Sequence, residues 1–232
     1  MTCDLKQCIG MNLGVELVIK IVTIEREYGS GGGEIAQLLA SRLGWKLWDQ
    51  ALTEEIARLA RCPRDIVEGR EEKNDPLYYR LFKSFLRGSY EGSINAPKLN
   101  LVDSETILKI TRRVVEQAAQ TGNSVIVGRG SQQFLKDRPD TLRVFLYAPR
   151  EDKVRRVLAR GKSEKEAEDC VDTIDRERAD FIWKYFNVEW PDRAIYHTMI
   201  NTAIGDEQTV HMIEDFMKTC DARATGERTN HP

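Results

Sequence analysis

The chain reads as an α/β protein, a parallel sheet of about five strands with helices on both faces. Two observations predict this. Apolar, β-branched runs alternate with stretches of helical periodicity over most of the length. The first of these runs leads directly into a glycine-rich loop and then a helical pattern, the order strand, loop, helix.

The first strand is expected at 18–24 (VIKIVTI), a β-branched, largely apolar run that reads as a buried strand. The loop within 28–36 (YGSGGGEIA) carries four glycines and a serine, and 34–43 (EIAQLLASRL) has apolar residues at helical spacing. Glycine lets backbone N–H groups approach an anion closely, and the first turn of a helix adds unpaired N–H groups and a positive dipole end. Gly29, Ser30, Gly31, Gly32 and Gly33 are therefore the candidate phosphate cradle. A tight structural turn is the plainer alternative. The standard phosphate loop reads GxxxxGK(S/T). Aligned on Gly31, its lysine position holds Gly32 and its first glycine is Arg26.

Further strands are expected at 46–48, 124–127 (SVIV), 142–148 (LRVFLYA) and 197–201 (HTMIN). Helical patterns fall at 50–61, 104–121, 151–160, 163–185 and 206–219. Ser163 with Glu166 three residues on makes a capping box, and Gly161 closes the preceding helix. Residues 63–100 break the rhythm with a charged stretch, the aromatic segment LYYRLFKSFL and a turn-rich segment. They read as an insert, either a cap over a substrate at the carboxyl ends of the strands or a surface excursion or dimer contact. The organisation expected is a flexible leader at 1–14, with Met1 or Met11 as the start, one domain at 15–220 and a flexible tail at 221–232.

With 31% charged residues and a formal net charge of −2, the chain lacks the excess of basic residues that marks a nucleic-acid binder. Cys3, Cys8, Cys62, Cys170 and Cys220 form no CxxC pair and no zinc pattern, so reduced thiols and a cytoplasmic location are expected. No apolar stretch reaches the roughly 18 residues of a membrane span, so no membrane partner is expected. The expected partner is a small molecule, and the protein a monomer or homodimer.

The glycine loop has companions in a telling order. Residues 26–32 (REYGSGG) are followed by EIA, then Trp48 and Asp49 at a strand end, then 124–130 (SVIVGRG), then 175–179 (DRERA). Together they resemble the cytidylate kinase-like branch of the P-loop nucleoside monophosphate kinases, over roughly 18–216. The resemblance implies a P-loop NTPase three-layer fold with a nucleotide-binding insert and a helical lid at about 160–180. It also implies ATP and Mg²⁺ as cofactors and nucleotide substrates, with CMP or dCMP as acceptor. Asp49 matches a contact to the monophosphate nucleotide and Arg129 the arginine that grips the acceptor phosphate. Asp175 and Arg178 match the pair that meets the base. Arg26, Arg176 and Arg178 are the candidate catalytic cations, since arginines can bind phosphate in place of the lysine. The chain departs from the pattern at Gly32, at Glu34 where a hydroxyl often helps hold magnesium, and at Gly130 where an aspartate is usual. Gln50, Glu55, Val171 and Ile174 also replace polar or basic residues of the family. No protein metal ligands are expected. The structural alternatives are an ion pair for Arg129, a surface salt bridge between Asp175 and Arg178, and a helix cap for Asp49. Two other functions remain open: a nucleotide-binding regulatory module without catalysis, and a small-molecule kinase with another acceptor.

Overall fold

The computed structural model describes residues 19–59 and 104–225. Five parallel strands form one sheet: β1 (Ile21–Arg26), β2 (Lys46–Trp48), β3 (Ser124–Val127), β4 (Thr141–Tyr147) and β5 (Thr198–Asn201), in the order β2-β3-β1-β4-β5. The helices are α1 (Gly32–Leu43), α2 (Gln50–Leu59), α3 (Ser104–Gln120), the short α4 (Ser131–Phe134), α5 (Arg150–Ala159), α6 (Glu164–Phe186) and α7 (Asp206–Thr225). A 3₁₀ turn at Thr202–Ile204 links β5 to α7.

β1 is central, and every residue of it is buried, which suits the β-branched run IVTI before its polar end. It pairs from Ile21 to Ile24 with Ser124 to Val127 of β3, and from Ile21 to Arg26 with Thr141 to Leu146 of β4. The period of two divides the core. Val22, Ile24, Val125, Val127, Leu142, Val144 and Leu146 pack with Ile35, Leu39, Val210 and Ile213 of α1 and α7 on one face. Ile21 and Ile126 pack on the other with Leu52, Ile56, Val114, Val115, Ala118, Phe181 and Ile182 of α2, α3 and α6. Each fully buried Ile, Val, Leu or Phe is worth about 1.5–3 kcal/mol, so both helical layers are held by the same mechanism.

The boundaries shift from those read in sequence. β1 begins three residues later than expected and runs through Glu25 and Arg26 to the loop. α1 starts at Gly32, so Gly32 and Gly33 belong to its first turn rather than to the loop. α7 continues through Thr225, where the tail was expected to have begun. α4 is too short for periodicity to reveal. The capping box is present: Ser163 Oγ accepts from the Glu166 N–H, and Glu166 Oε2 accepts from the Ser163 N–H at 3.0 Å. The insert at 63–100 and the leader lie outside the described residues, as do Met11 and Val18. Among the described residues no helix is long and apolar enough to cross a membrane.

Candidate active site

β1 lies between β3 and β4, so the chain leaves its carboxyl end at the point where strand order reverses, the crevice where open α/β sheets bind ligands. The glycine loop fills this position. Ser30 Oγ donates to the Glu27 carbonyl at 2.8 Å, and Thr202 Oγ1 donates to the Ser30 carbonyl at 2.7 Å, tying the loop to the end of β5. Gly31 caps α1 with φ 81°, and no side chain caps the first-turn N–H groups. That φ favours glycine, and a Cβ there would also displace the Arg156 guanidinium, whose Nη1 it would approach to 2.2 Å. Those uncapped amide dipoles are suited to an anion.

Three arginines gather around this loop, and all three are buried. Arg26 Nη1 lies 3.3 Å from Glu25 Oε1, and Gln132 Nε2 holds the other carboxylate oxygen of Glu25 at 3.1 Å. Arg129, in the turn after β3 with φ 55°, donates to Asp49 Oδ1 at 2.8 Å and to Thr53 Oγ1 at 2.5 Å. Asp49 therefore does more than begin α2: its backbone carbonyl accepts from the Thr53 N–H, and its carboxylate fixes Arg129. Arg178 donates to the Arg26 carbonyl at 2.9 Å and to Asp175 Oδ1 at 3.3 Å. Burial, then the charge of Arg26, push the Arg178 guanidinium down to about 10. Burial likewise depresses Arg129, with Asp49 opposing it and Arg26 adding to it. Arg26 links the other two: Arg178 donates to its carbonyl, and its Nη1 lies against Gly128, the residue before Arg129.

Arg176 is not among them. It is exposed on α6, two residues from Arg178 and so turned well away from it. Of the candidate cations Arg26, Arg129, Arg176 and Arg178, only Arg176 is exposed. Asp175 is tied to the loop. Its Oδ1 accepts the Tyr28 N–H of the glycine loop at 2.7 Å, and its Oδ2 lies 3.2 Å from Lys153 Nζ.

Lys153, Arg156 and Arg160 also reach the loop, outside the motifs quoted from the sequence. Lys153 and Arg156 lie on α5 and Arg160 caps its C-terminus, at i, i+3 and i+7, one stripe that tracks the loop. Lys153 bridges Asp175 and Glu27, with its backbone carbonyl against Gly29; Arg156 lies on Gly31 and pairs with Asp206; Arg160 pairs with Glu34. Burial works against the Lys153 charge, yet Asp175 and Glu27 together raise it above the usual lysine value. The stripe spacing was the available signal.

Among the described residues there is no group of three or more His, Cys, Asp or Glu set to hold a metal. Glu34, in the first turn of α1, is engaged by Arg160 at 2.7 Å. The donor set therefore fits a phosphate chain better than a metal cage.

Residues 21–204 match the model of the cytidylate kinase-like family. The cytidylate kinase of Shewanella sediminis (strain HAW-EB3) is 36% identical over 69 residues, 30% of this chain and 30% of that kinase. That of Shewanella sp. (strain W3-18-1) is 38% identical over 69 residues, again 30% of each. The chain thus matches less than a third of the length of these relatives. Among solved structures, an uncharacterized protein from Eubacterium ventriosum ATCC 27560 superposes with a TM-score of 0.59 at 20% identity, covering 86% of this chain and 98% of that one. That likeness concerns the fold.

Proposed function

The chain belongs to the cytidylate kinase-like family, and from that premise we propose that it transfers the γ-phosphoryl group of ATP to a nucleoside monophosphate, CMP or dCMP. The observation that carries this reading is the gathering of buried Arg26, Arg129 and Arg178 around an uncapped helix N-terminus at the sheet's switch point. Phosphoryl transfer asks a protein mostly to position two phosphates in line and to neutralise the charge that spreads over the moving group. The first-turn N–H groups of Gly32, Gly33 and Glu34, with Gly29, Ser30 and Gly31 shaping the approach, hold the donor phosphates. Arg129, fixed by Asp49 and Thr53, receives the acceptor phosphate. Arg178 adds charge between them. When bound, Mg²⁺ would supply further positive charge against the phosphate oxygens.

Asp175 and Arg178 clamp α6 to the glycine loop through the Tyr28 N–H and the Arg26 carbonyl. They meet a base only when this clamp opens. Arg176, exposed on the same helix, enters on closure of the lid over substrate or not at all.

An ADP-release assay across nucleoside monophosphates and small hydroxyl acceptors tests the reading. Turnover with CMP or dCMP is expected, and no turnover with any acceptor from folded protein overturns it. The buried cations already have carboxylate partners, Glu25 for Arg26, Asp49 for Arg129 and Asp175 for Arg178. That balance favours a second reading, a nucleotide-binding module without catalysis. Calorimetric binding of ATP and CMP without turnover supports that reading instead.

A further inference from the structure

We infer that Arg26 and Gly32 are an exchange pair: the arginine at the end of β1 has taken both the space and the charge of a cation on the first turn of α1. The inference rests on the phosphate-transfer reading above and deepens it by assigning the donor-phosphate cation.

The space is the first observation. A Cβ built on Gly32 falls 2.7 Å from Arg26 Cγ and 2.8 Å from Arg26 Cβ, distances at which one of the two must move. The backbone of Gly32 is ordinary helix, so only this contact forbids a side chain there. A lysine at 32 and an arginine at 26 therefore exclude each other. The guanidinium is seated in the same way, because a Cβ on Gly128 would lie 2.2 Å from Arg26 Nη1. Glycines on α1 and after β3 thus open one slot from the loop to the end of β3, and the Arg26 side chain fills it.

The charge is the second observation. Arg26 is 4% exposed, and its only ion-pair partner among the described residues is Glu25, at Nη1. Its Nε and Nη2 are buried without a hydrogen-bond acceptor. Unmet donors on a buried charged group are costly, and a group left in that state asks for an explanation. An oxyanion is the ligand that relieves it, because Nε and Nη2 form the fork edge that takes two oxygens of one phosphate. The ligand class is a di- or triphosphate chain whose terminal groups pass from the first turn of α1 toward Gly128. Opening of the α6 clamp, whose Arg178 holds the Arg26 carbonyl, gives it access.

The experiment is an exchange cycle. R26G and G32K are each expected to lower kcat by about 10²-fold or more. R26G/G32K, which restores the GxxxxGK spacing, is expected to recover about tenfold or more over either single variant. Independently of turnover, calorimetry with inorganic tripolyphosphate should show weaker binding by about tenfold in R26M, with R26K in between. Melting temperatures identify any variant that does not fold, and R26K with its retained charge then carries the comparison. If the double variant is no better than the singles, or R26M binds tripolyphosphate as the wild type does, the inference is overturned. A wild type that binds tripolyphosphate through Arg26 but phosphorylates no acceptor leaves the inference standing and removes the kinase reading.

Discussion

At the scale of single residues, the site is governed by buried charge. Arg129 and Asp49 have side chains only 1% and 8% exposed, and their bond at 2.8 Å replaces the water each has lost. Removing one partner of such a pair leaves the other uncompensated. Asp49→Asn is expected to lower unfolding free energy by about 3 kcal/mol, read by urea denaturation. It should also raise KM for the monophosphate more than KM for ATP, because Arg129 loses its fixed direction. An unchanged denaturation midpoint would show that Arg129 is held chiefly by Thr53 and the Val127 carbonyl.

Among the elements, the edge of the sheet has its own polar lock. His197, just before β5, accepts the Arg143 backbone N–H at Nδ1 at 3.1 Å, while the Arg143 carbonyl accepts the His197 N–H at 2.9 Å. Burial and then the Arg143 charge hold the imidazole below its ordinary value of 6.5. The folded state therefore binds fewer protons than the unfolded state just below that pH, and stability falls as the solution is acidified through it. Melting curves between pH 7.5 and about 5 should show this loss in the wild type and a shallower one in His197→Gln. Equal slopes would assign the acid sensitivity to other groups. At the opposite end of the same strands, α5 and α6 hold the glycine loop through Lys153, Asp175 and Arg178.

For the whole molecule, the parallel sheet is a rigid base and the loop at its centre is where ligand energy enters the folding balance. ATP at about 100 times its Kd should add roughly 2.7 kcal/mol to stability, a rise of about 5–10 °C in melting temperature for a chain of this size. Absence of any shift with ATP, with or without CMP, would count against the nucleotide site itself. The architecture that supports this test was legible in the sequence. β1, α1 and the capping box of α6 are local patterns of apolar period and turn chemistry, and such patterns survive translation into structure with shifts of a few residues. The sequence alone determined the five-stranded α/β layout, the glycine loop at its centre and the absence of a lysine at 32. Tertiary structure alone decided which cations meet. Arg176 and Arg178 look equivalent in DRERA, yet one faces solvent and the other is buried against β1, because two residues on a helix point about 200° apart. Lys153 and Arg156 reach the loop only because α5 packs across it. Gly32 changed meaning in the same way: an apparent loss in the chain is, in three dimensions, the space through which Arg26 passes.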